Sequence, residues 1–175
     1  MARTRVDLAN LALSILVRDP IRNVDGGSPE QIHTGQFVED AIQFVAGEFQ
    51  IPAARTTVRL VSTSDVTFPR WDYVYIRPAD VIRIWEVTPL VKERQTIYPY
   101  EETLFSDPSS SASYICSNVP DAYIRYSSTR VDLSRLTPHQ FELAAYKLAE
   151  RCCMPLKKDK ELLAFLGQEI AKKMA

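Results

Sequence analysis

An α+β fold is predicted, a helical bundle made from N- and C-terminal helices with an inserted antiparallel β-sheet lobe between them. Three observations predict it. Apolar residues recur at helical spacing behind clear start signals near both ends of the chain. Between Arg55 and Tyr126 the pattern changes to short alternating runs broken by proline and serine. At 175 residues the chain suits one core carrying an insertion, and no internal repeat is visible. The expected division is a discontinuous bundle, residues 1–54 and 127–175, with residues 55–126 as the lobe.

Thr4-Arg5-Val6-Asp7 has the form of a capping box, and Leu8, Leu11, Ala12, Ile15 and Leu16 follow at helical spacing. Asp19-Pro20 is the expected stop. Asn23 to Gly27 is a turn-rich loop, with Asp25-Gly26-Gly27 able to take positive φ. Ser28-Pro29-Glu30-Gln31 supplies a cap, a proline at the first helical position and an acid in the first turn. The second helix should run to about Glu48, roughly 30 Å at about 1.5 Å per residue. Its apolar residues Ile32, Phe37, Val38, Ala41, Ile42, Phe44 and Val45 cover more than a narrow stripe. That predicts contacts on two sides, with a neighbouring subunit a candidate for one.

In the central stretch, Val58 to Val61 alternates weakly, and Trp71, Tyr73 and Tyr75 share one face of a strand. Pro78-Ala79-Asp80 turns the chain into Val81–Val87, the strongest strand. Weaker strands are expected around Gln95–Tyr98, Thr103–Phe105, Ala112–Cys116 and Ala122–Tyr126. The serine-rich Ser106–Ser113 segment reads as a mobile loop. Thr137-Pro138-His139-Gln140 then repeats the start signal of Ser28. Phe141, Ala144, Ala145, Leu148, Ala149 and Cys152 form its buried stripe, and Pro155 is the expected end. A last helix from near Lys157 carries Leu162, Leu163, Leu166, Ile170 and Met174. Two amphipathic helices cannot bury their stripes on each other alone, so the two ends should pack together.

A composition of 46% hydrophobic and 25% charged residues is that of an ordinary globular protein. No apolar run approaches the roughly 20 residues that span a bilayer, and Met1 leads straight into a polar, capped helix. The expectation is a soluble, unprocessed chain without a membrane partner. Net charge is −1 but uneven: residues 1–50 hold 4 basic and 7 acidic side chains, residues 134–175 hold 8 and 5. Such a gradient can orient subunits, yet it is too mild to announce nucleic-acid binding. Cys116, Cys152 and Cys153 make an odd count, against a disulfide framework and in keeping with a reducing cytoplasm.

The run from Pro69 through Trp71-Asp72-Tyr73-Val74-Tyr75 and Pro78-Ala79-Asp80 to Ile84 resembles a segment of the head-to-tail adaptors of tailed bacteriophages, the tail tubular protein A-like connectors. It looks like their aromatic strand, Pro-x-Asp turn and apolar strand. Leu8–Leu16 is similar to their Leu-Ala-rich opening helix. Tyr126–Asp132 running into Phe141–Ala149, then Met154-Pro155-Leu156 and the final helix, resemble their closing segment. The resemblance covers nearly the whole chain, and the order and spacing of the motifs carry it. One departure is Phe49-Gln50-Ile51-Pro52, where such adaptors often have a tryptophan-containing elbow.

The resemblance implies a structural virion protein, made in the host cytoplasm, with no catalysis and no cofactor. It implies a ring of copies of the chain, twelve-fold by analogy, docked on the portal protein and extending the channel for double-stranded DNA. A downstream tail or nozzle protein is the implied partner on the far side. Lys157, Lys158, Lys160, Lys172 and Lys173 are the candidate portal contacts, with a solvated helix face as the plain alternative. Tyr98, Tyr100 and Phe105 are candidates for a tail-side or intersubunit arm, and packing on the sheet explains them equally well.

Other chemistry is sparse. His33 and His139 are far apart, and neither has a second ligand at coordinating spacing, so packing or surface roles are preferred and no metal is expected. Adjacent Cys152 and Cys153 read as small buried hydrophobes. Nothing near Cys116 predicts a depressed thiol pKa, and neighbouring acids Glu39-Asp40 and Glu101-Glu102 diverge on either kind of element. No phosphate loop, dinucleotide fingerprint or nucleophile elbow occurs. A small nucleic-acid-binding module, stacking bases on Trp71, Tyr73, Tyr75 and Trp85 beside the C-terminal lysines, is the alternative from another class. A hydrolase is a weaker third option, for which no catalytic geometry can be assembled.

Overall fold

The computed structural model describes residues 3–89, 98–107 and 110–175, with side chains described throughout except at 105–107, 110 and 111. It is an α+β fold with helices at both ends of the chain and antiparallel strands between them. The chain forms two compact units, Met1–Ala53 with Val131–Ala175, and Ala54–Arg130. The junction expected at residue 127 falls inside a strand, β7 (Tyr123–Ser128). That strand end is tied into the sheet unit: the Ser128 N–H donates to the Ala54 carbonyl and the Thr129 N–H to the Asp80 carbonyl, both at 2.9 Å.

The helical unit contains α1 (Arg5–Ile15), α2 (Pro29–Glu48), α3 (Pro138–Lys157) and α4 (Lys160–Met174). Thr4, Ser28 and Thr137 each close a full capping box, with Asp7, Gln31 and Gln140 reaching back. Helix α3 packs against each of the other three, and Leu143, Ala144, Ala145, Leu148, Ala149 and Cys152 are fully buried on it. Alanine dominates that face, so neighbouring backbones approach closely. Arg3 lies over the Phe141 ring at the start of α3, and Arg18 donates to the Leu156 carbonyl at its end. Helices α1 and α3 are therefore parallel. Lys173 meets Glu142 while Cys153 donates to the Asp159 carbonyl, so α4 returns antiparallel to α3.

Both helix ends assigned to proline lie elsewhere. Helix α1 stops at Ile15, well before Pro20, because Val17 turns left-handed at φ 53. The Arg18 N–H donates to Leu13 (2.9 Å) and the Val17 N–H to Ser14 (3.1 Å), the paired bonds of a Schellman motif. Pro155 is inside α3, which continues to Lys157 and is closed by Lys158 at φ 55. Its fixed φ suits a helix, and only the bond to the carbonyl of exposed Arg151 is lost. A left-handed β-branched residue is strained where glycine is not. Val17→Gly should therefore raise stability by about 1 kcal/mol, read as a higher urea midpoint with unchanged slope.

The loop between α1 and α2 is strapped down. The Asn10 side chain donates to the Ile21 carbonyl (3.0 Å) and accepts its N–H (2.7 Å). Gln31 donates to Asn23 at 2.8 Å, and the Val24 carbonyl rests against Gly35 of α2.

The sheet unit differs from the single sheet expected. It holds β1 (Arg55–Arg59), β2 (Ser62–Thr63), β3 (Tyr73–Ile76), β4 (Val81–Thr88), β5 (Tyr100–Asp107), β6 (Ser110–Ser117) and β7. These form two antiparallel sheets, β1-β7-β4 and β2-β3-β6-β5. One core cluster takes residues from both, including Leu60, Tyr75, Ile84, Val87, Ile115, Ile124 and Tyr126. Two facing apolar layers bury more than one sheet can, which explains the split. Residues 106–107 and 110–113 of the serine-rich segment are strand and not loop: β5 and β6 stay paired through Leu104↔Ser113 to Asp107↔Ser110, the ladder overriding weak serine propensity, and residues 108–109 lie outside the described residues. Of the strand expected at Gln95–Tyr98, residues 95–97 lie outside the described residues, and Tyr98 precedes β5.

Strand β4 carries two register shifts against β7, between Val81 and Arg83 and between Ile84 and Glu86. The Tyr100 hydroxyl also donates to the Ile84 carbonyl at 3.1 Å. The Pro78-Ala79-Asp80 turn is locked by Asp80, which accepts from the Ser128 hydroxyl (2.8 Å) and the Tyr126 hydroxyl (3.0 Å). The Ser128 hydrogen bond, followed by that of Tyr126 and the charge of Arg130, holds the Asp80 carboxyl below the usual range against its partial burial. A depressed carboxylate contributes stability above the unfolded pKa, about 3.9, and loses it as pH falls through the folded value. The stability gap between wild type and Asp80→Asn should thus be largest near neutrality and narrow in acid. Urea titrations across that range would show it; a gap constant with pH would assign the role to shape alone.

Candidate functional site

The groups named in the sequence as chemical candidates are held in passive states. Burial pushes the Cys152 thiol up to about 12, and burial followed by the Glu101 charge raises that of Cys116. Both are thus protonated at neutral pH, the wrong state for a nucleophile. Cys153, also raised chiefly by burial, donates to the Asp159 carbonyl at 3.3 Å. The exposed His139 ring bonds the Lys173 carbonyl at 2.9 Å. Glu101 accepts from the Trp71 indole (2.9 Å) while Glu102 pairs with Arg77 (2.9 Å), so the two neighbours serve opposite faces of β5. Glu39 pairs with Arg5 at 2.5 Å and Asp40 is exposed. Among the described residues, no group of three or more His, Cys, Asp and Glu side chains converges as a metal site would require.

The aromatic set does not form one stacking platform. Tyr75 is buried, its hydroxyl donating to the Val119 carbonyl and accepting the Ala122 N–H. Trp71 is tied to Glu101 of the four-stranded sheet and Trp85 to Ser127 of the three-stranded sheet (2.8 Å). Tyr73 alone is exposed, stacked on Tyr75 with centroids 6.3 Å apart. These two tyrosines, with Val61 and Pro120, line an open pocket of about 680 Å³, rimmed by the Arg59–Asp121 ion pair at 2.5 Å. A surface ion pair of this kind contributes little to stability, and it leaves the rim electrically neutral.

The five candidate lysines fall into two groups. Lys157, Lys158 and Lys160 are exposed where α3 gives way to α4. Lys172 and Lys173 lie at the far end of the 15-residue α4, roughly 20 Å away at about 1.5 Å per residue. There Lys172 pairs with Glu169 (2.5 Å), while Lys173 pairs with Glu142 (3.0 Å) and covers the Tyr146 ring. Proximity in sequence does not become one basic patch. Tyr98 and Tyr100 are half-buried against the sheet core, not held out as an arm, and the Phe105 side chain lies outside the described residues.

Exposed apolar side chains instead mark the surface. In the helical unit these are Val17 at 81% exposure, Ile32 at 52% and Phe165 at 50%, with Met154 and Met174 less so. Ile32, one of the apolar residues that extend α2 beyond a narrow stripe, faces water in the single chain. In the sheet unit Val61 and Ile76 lie side by side, the Ile76 N–H donating to the Val61 carbonyl at 2.9 Å. Val17 and Arg18 escaped notice in the sequence because no glycine or proline marks their turn. The one available signal was an apolar residue placed directly before Arg18-Asp19-Pro20. No protein-family model matches the chain, and no curated protein does so either.

Proposed function

We propose that the chain is a head-to-tail adaptor of a tailed bacteriophage, a structural protein that forms a ring between the portal and the tail and extends the DNA channel. The observation that carries this reading is the pairing of both chain ends in one compact helical unit around an inserted strand-built unit. It has the order of parts that the resemblance to such adaptors implies. Support also comes from the exposed apolar residues Phe165, Ile32, Val61 and Ile76, which a ring of copies and its neighbours would cover. The ring contact joins one face of each protomer to a different face of the next. A channel wall must let DNA slide, so binding of duplex should be weak and indifferent to sequence.

Electron microscopy of the full chain mixed with its cognate portal rings is the test. A second, coaxial ring on the portal is expected; portal rings unchanged at saturating chain, together with a tight sequence-dependent gel shift, would refute the assignment. The split of Trp71, Tyr75 and Trp85 among different surroundings weighs against a nucleic-acid module.

A further inference from the structure

We propose that residues 64–72, the connection from β2 to β3, are a strap that lifts as a unit off the outer face of the four-stranded sheet when the Trp71 indole releases Glu101. The motion is local to the sheet unit and does not depend on the adaptor reading.

Side chains alternate along a strand, so register tells which residues share a face. Tyr75 and Ile115 are ladder partners and belong to the core cluster. Their neighbours Val74 and Cys116 are also partners, and they point the other way, off that core. Yet Val74 is only 6% exposed and Cys116 is fully buried. Glu101 of β5 is the ladder partner of Cys116 on the same face, and it accepts from the Trp71 indole at 2.9 Å. The cover is therefore the segment that carries Trp71, with Val66 and Phe68 half-buried along it.

This cover is lightly held. No residue of 64–72 is itself buried, although buried groups lie beneath. Its two ends are pinned: the Asp65 N–H donates to the Thr63 hydroxyl (3.2 Å), and the Asp72 N–H to the Asn118 side chain (2.9 Å). Between those pins, among the described residues, the Trp71–Glu101 bond is the one hydrogen bond from residues 66–71 to other parts of the chain. The Trp71 N–H closes a turn on the Phe68 carbonyl at 3.0 Å and Arg70 lies over the Trp71 ring, so this end moves as one piece. Pinned ends, a single side-chain latch and half-buried apolar contacts make a segment that opens more easily than the strands under it. Opening has a defined product. Ile76 stands exposed two residues along β3 from Val74, beside exposed Val61 and opposite Tyr114 of β6. Uncovering Val74 and Cys116 joins all of these into one apolar face.

Cys116 reports the opening. The full native chain would be alkylated with iodoacetamide, quenched in denaturant with N-ethylmaleimide, and each cysteine read by peptide mass spectrometry. Cys152 and Cys153 are fully buried on α3 and react when the helical unit opens, so Cys116 should react at least about tenfold faster. Its rate should be flat in low urea, because lifting the strap exposes little surface. Trp71→Phe keeps an apolar ring and deletes the indole donor. It should speed Cys116 about fivefold and leave Cys152 and Cys153 unchanged. Tyr100→Phe is the control for opening of the whole sheet unit. It loses a hydrogen bond on the opposite face of β5, to Ile84, and should leave the Cys116 rate as it was. Labelling of Cys116 no faster than Cys152 and Cys153 would overturn the proposal. So would a rate that climbs steeply with urea, equal acceleration by the two variants, or no acceleration by Trp71→Phe.

Discussion

Gly35→Ala should cost about 2–4 kcal/mol, although alanine is the better helix former by about 1 kcal/mol. Gly35 is within α2, and a Cβ there would sit 2.4 Å from the Val24 carbonyl oxygen. That oxygen cannot retreat alone. Its loop is fastened at Asn23 by Gln31 and at Ile21 by both ends of the Asn10 amide. Moving it an ångström breaks hydrogen bonds worth about 1 kcal/mol each and uncovers Ile21, so steric conflict outweighs propensity. Gly167 is the control. It lies within α4, and its added Cβ meets nothing nearer than a Glu150 oxygen at 3.9 Å. Gly167→Ala should stabilise by about 0.5–1 kcal/mol. Opposite signs for the two glycines in urea titrations are the expected result; two stabilising substitutions would mean that the loop yields freely.

Tyr75→Phe should be comparably damaging to the sheet unit, at about 2–4 kcal/mol. The Tyr75 ring is 1% exposed at the centre of the core, and its hydroxyl both donates to the Val119 carbonyl and accepts the Ala122 N–H at 3.4 Å. Removing one oxygen strands two backbone groups in the core segment that leads into β7. Tyr100→Phe removes a hydroxyl that donates to one carbonyl, Ile84, from a half-buried ring, and should lose only about 1 kcal/mol. Equal losses in the two variants would show that water reaches the Val119–Ala122 turn.

How far the fold is legible in the sequence depends on how local its cause is. Helix starts are plain, because Thr4, Ser28 and Thr137 act within three residues of themselves. Helix ends are not. Val17 and Lys158 supply the left-handed turns that glycine usually signals, while Asp19-Pro20 and Pro155 draw attention away from them. The pairing of β7 between β1 and β4 joins residues far apart in the chain, and no local pattern encodes it. The same limit applies to the surface. Lys157 through Lys173 read as one cluster until the length of α4 separates them, and Arg18 reaches the Leu156 carbonyl only because α1 and α3 run parallel. For Tyr98 and Tyr100 an arm and packing on the sheet read equally well in the sequence, and only the pairing of β5 with β6 and the core beneath decide for packing.

Crowding against copies of itself, which the proposed ring would require, would bring the sheet edges of this chain together, and the shifted register of β4 bears on that. An open row of backbone donors and acceptors invites a further chain to add on, and fibres grow that way. Here β4 is kinked twice and its Ile84 carbonyl is occupied by Tyr100, β1 begins and ends in arginine, and β2 is two residues long. Strand β5 carries the acids Glu101 and Glu102. Neighbouring lobes can therefore touch through side chains at high local concentration without knitting into a continuous ribbon.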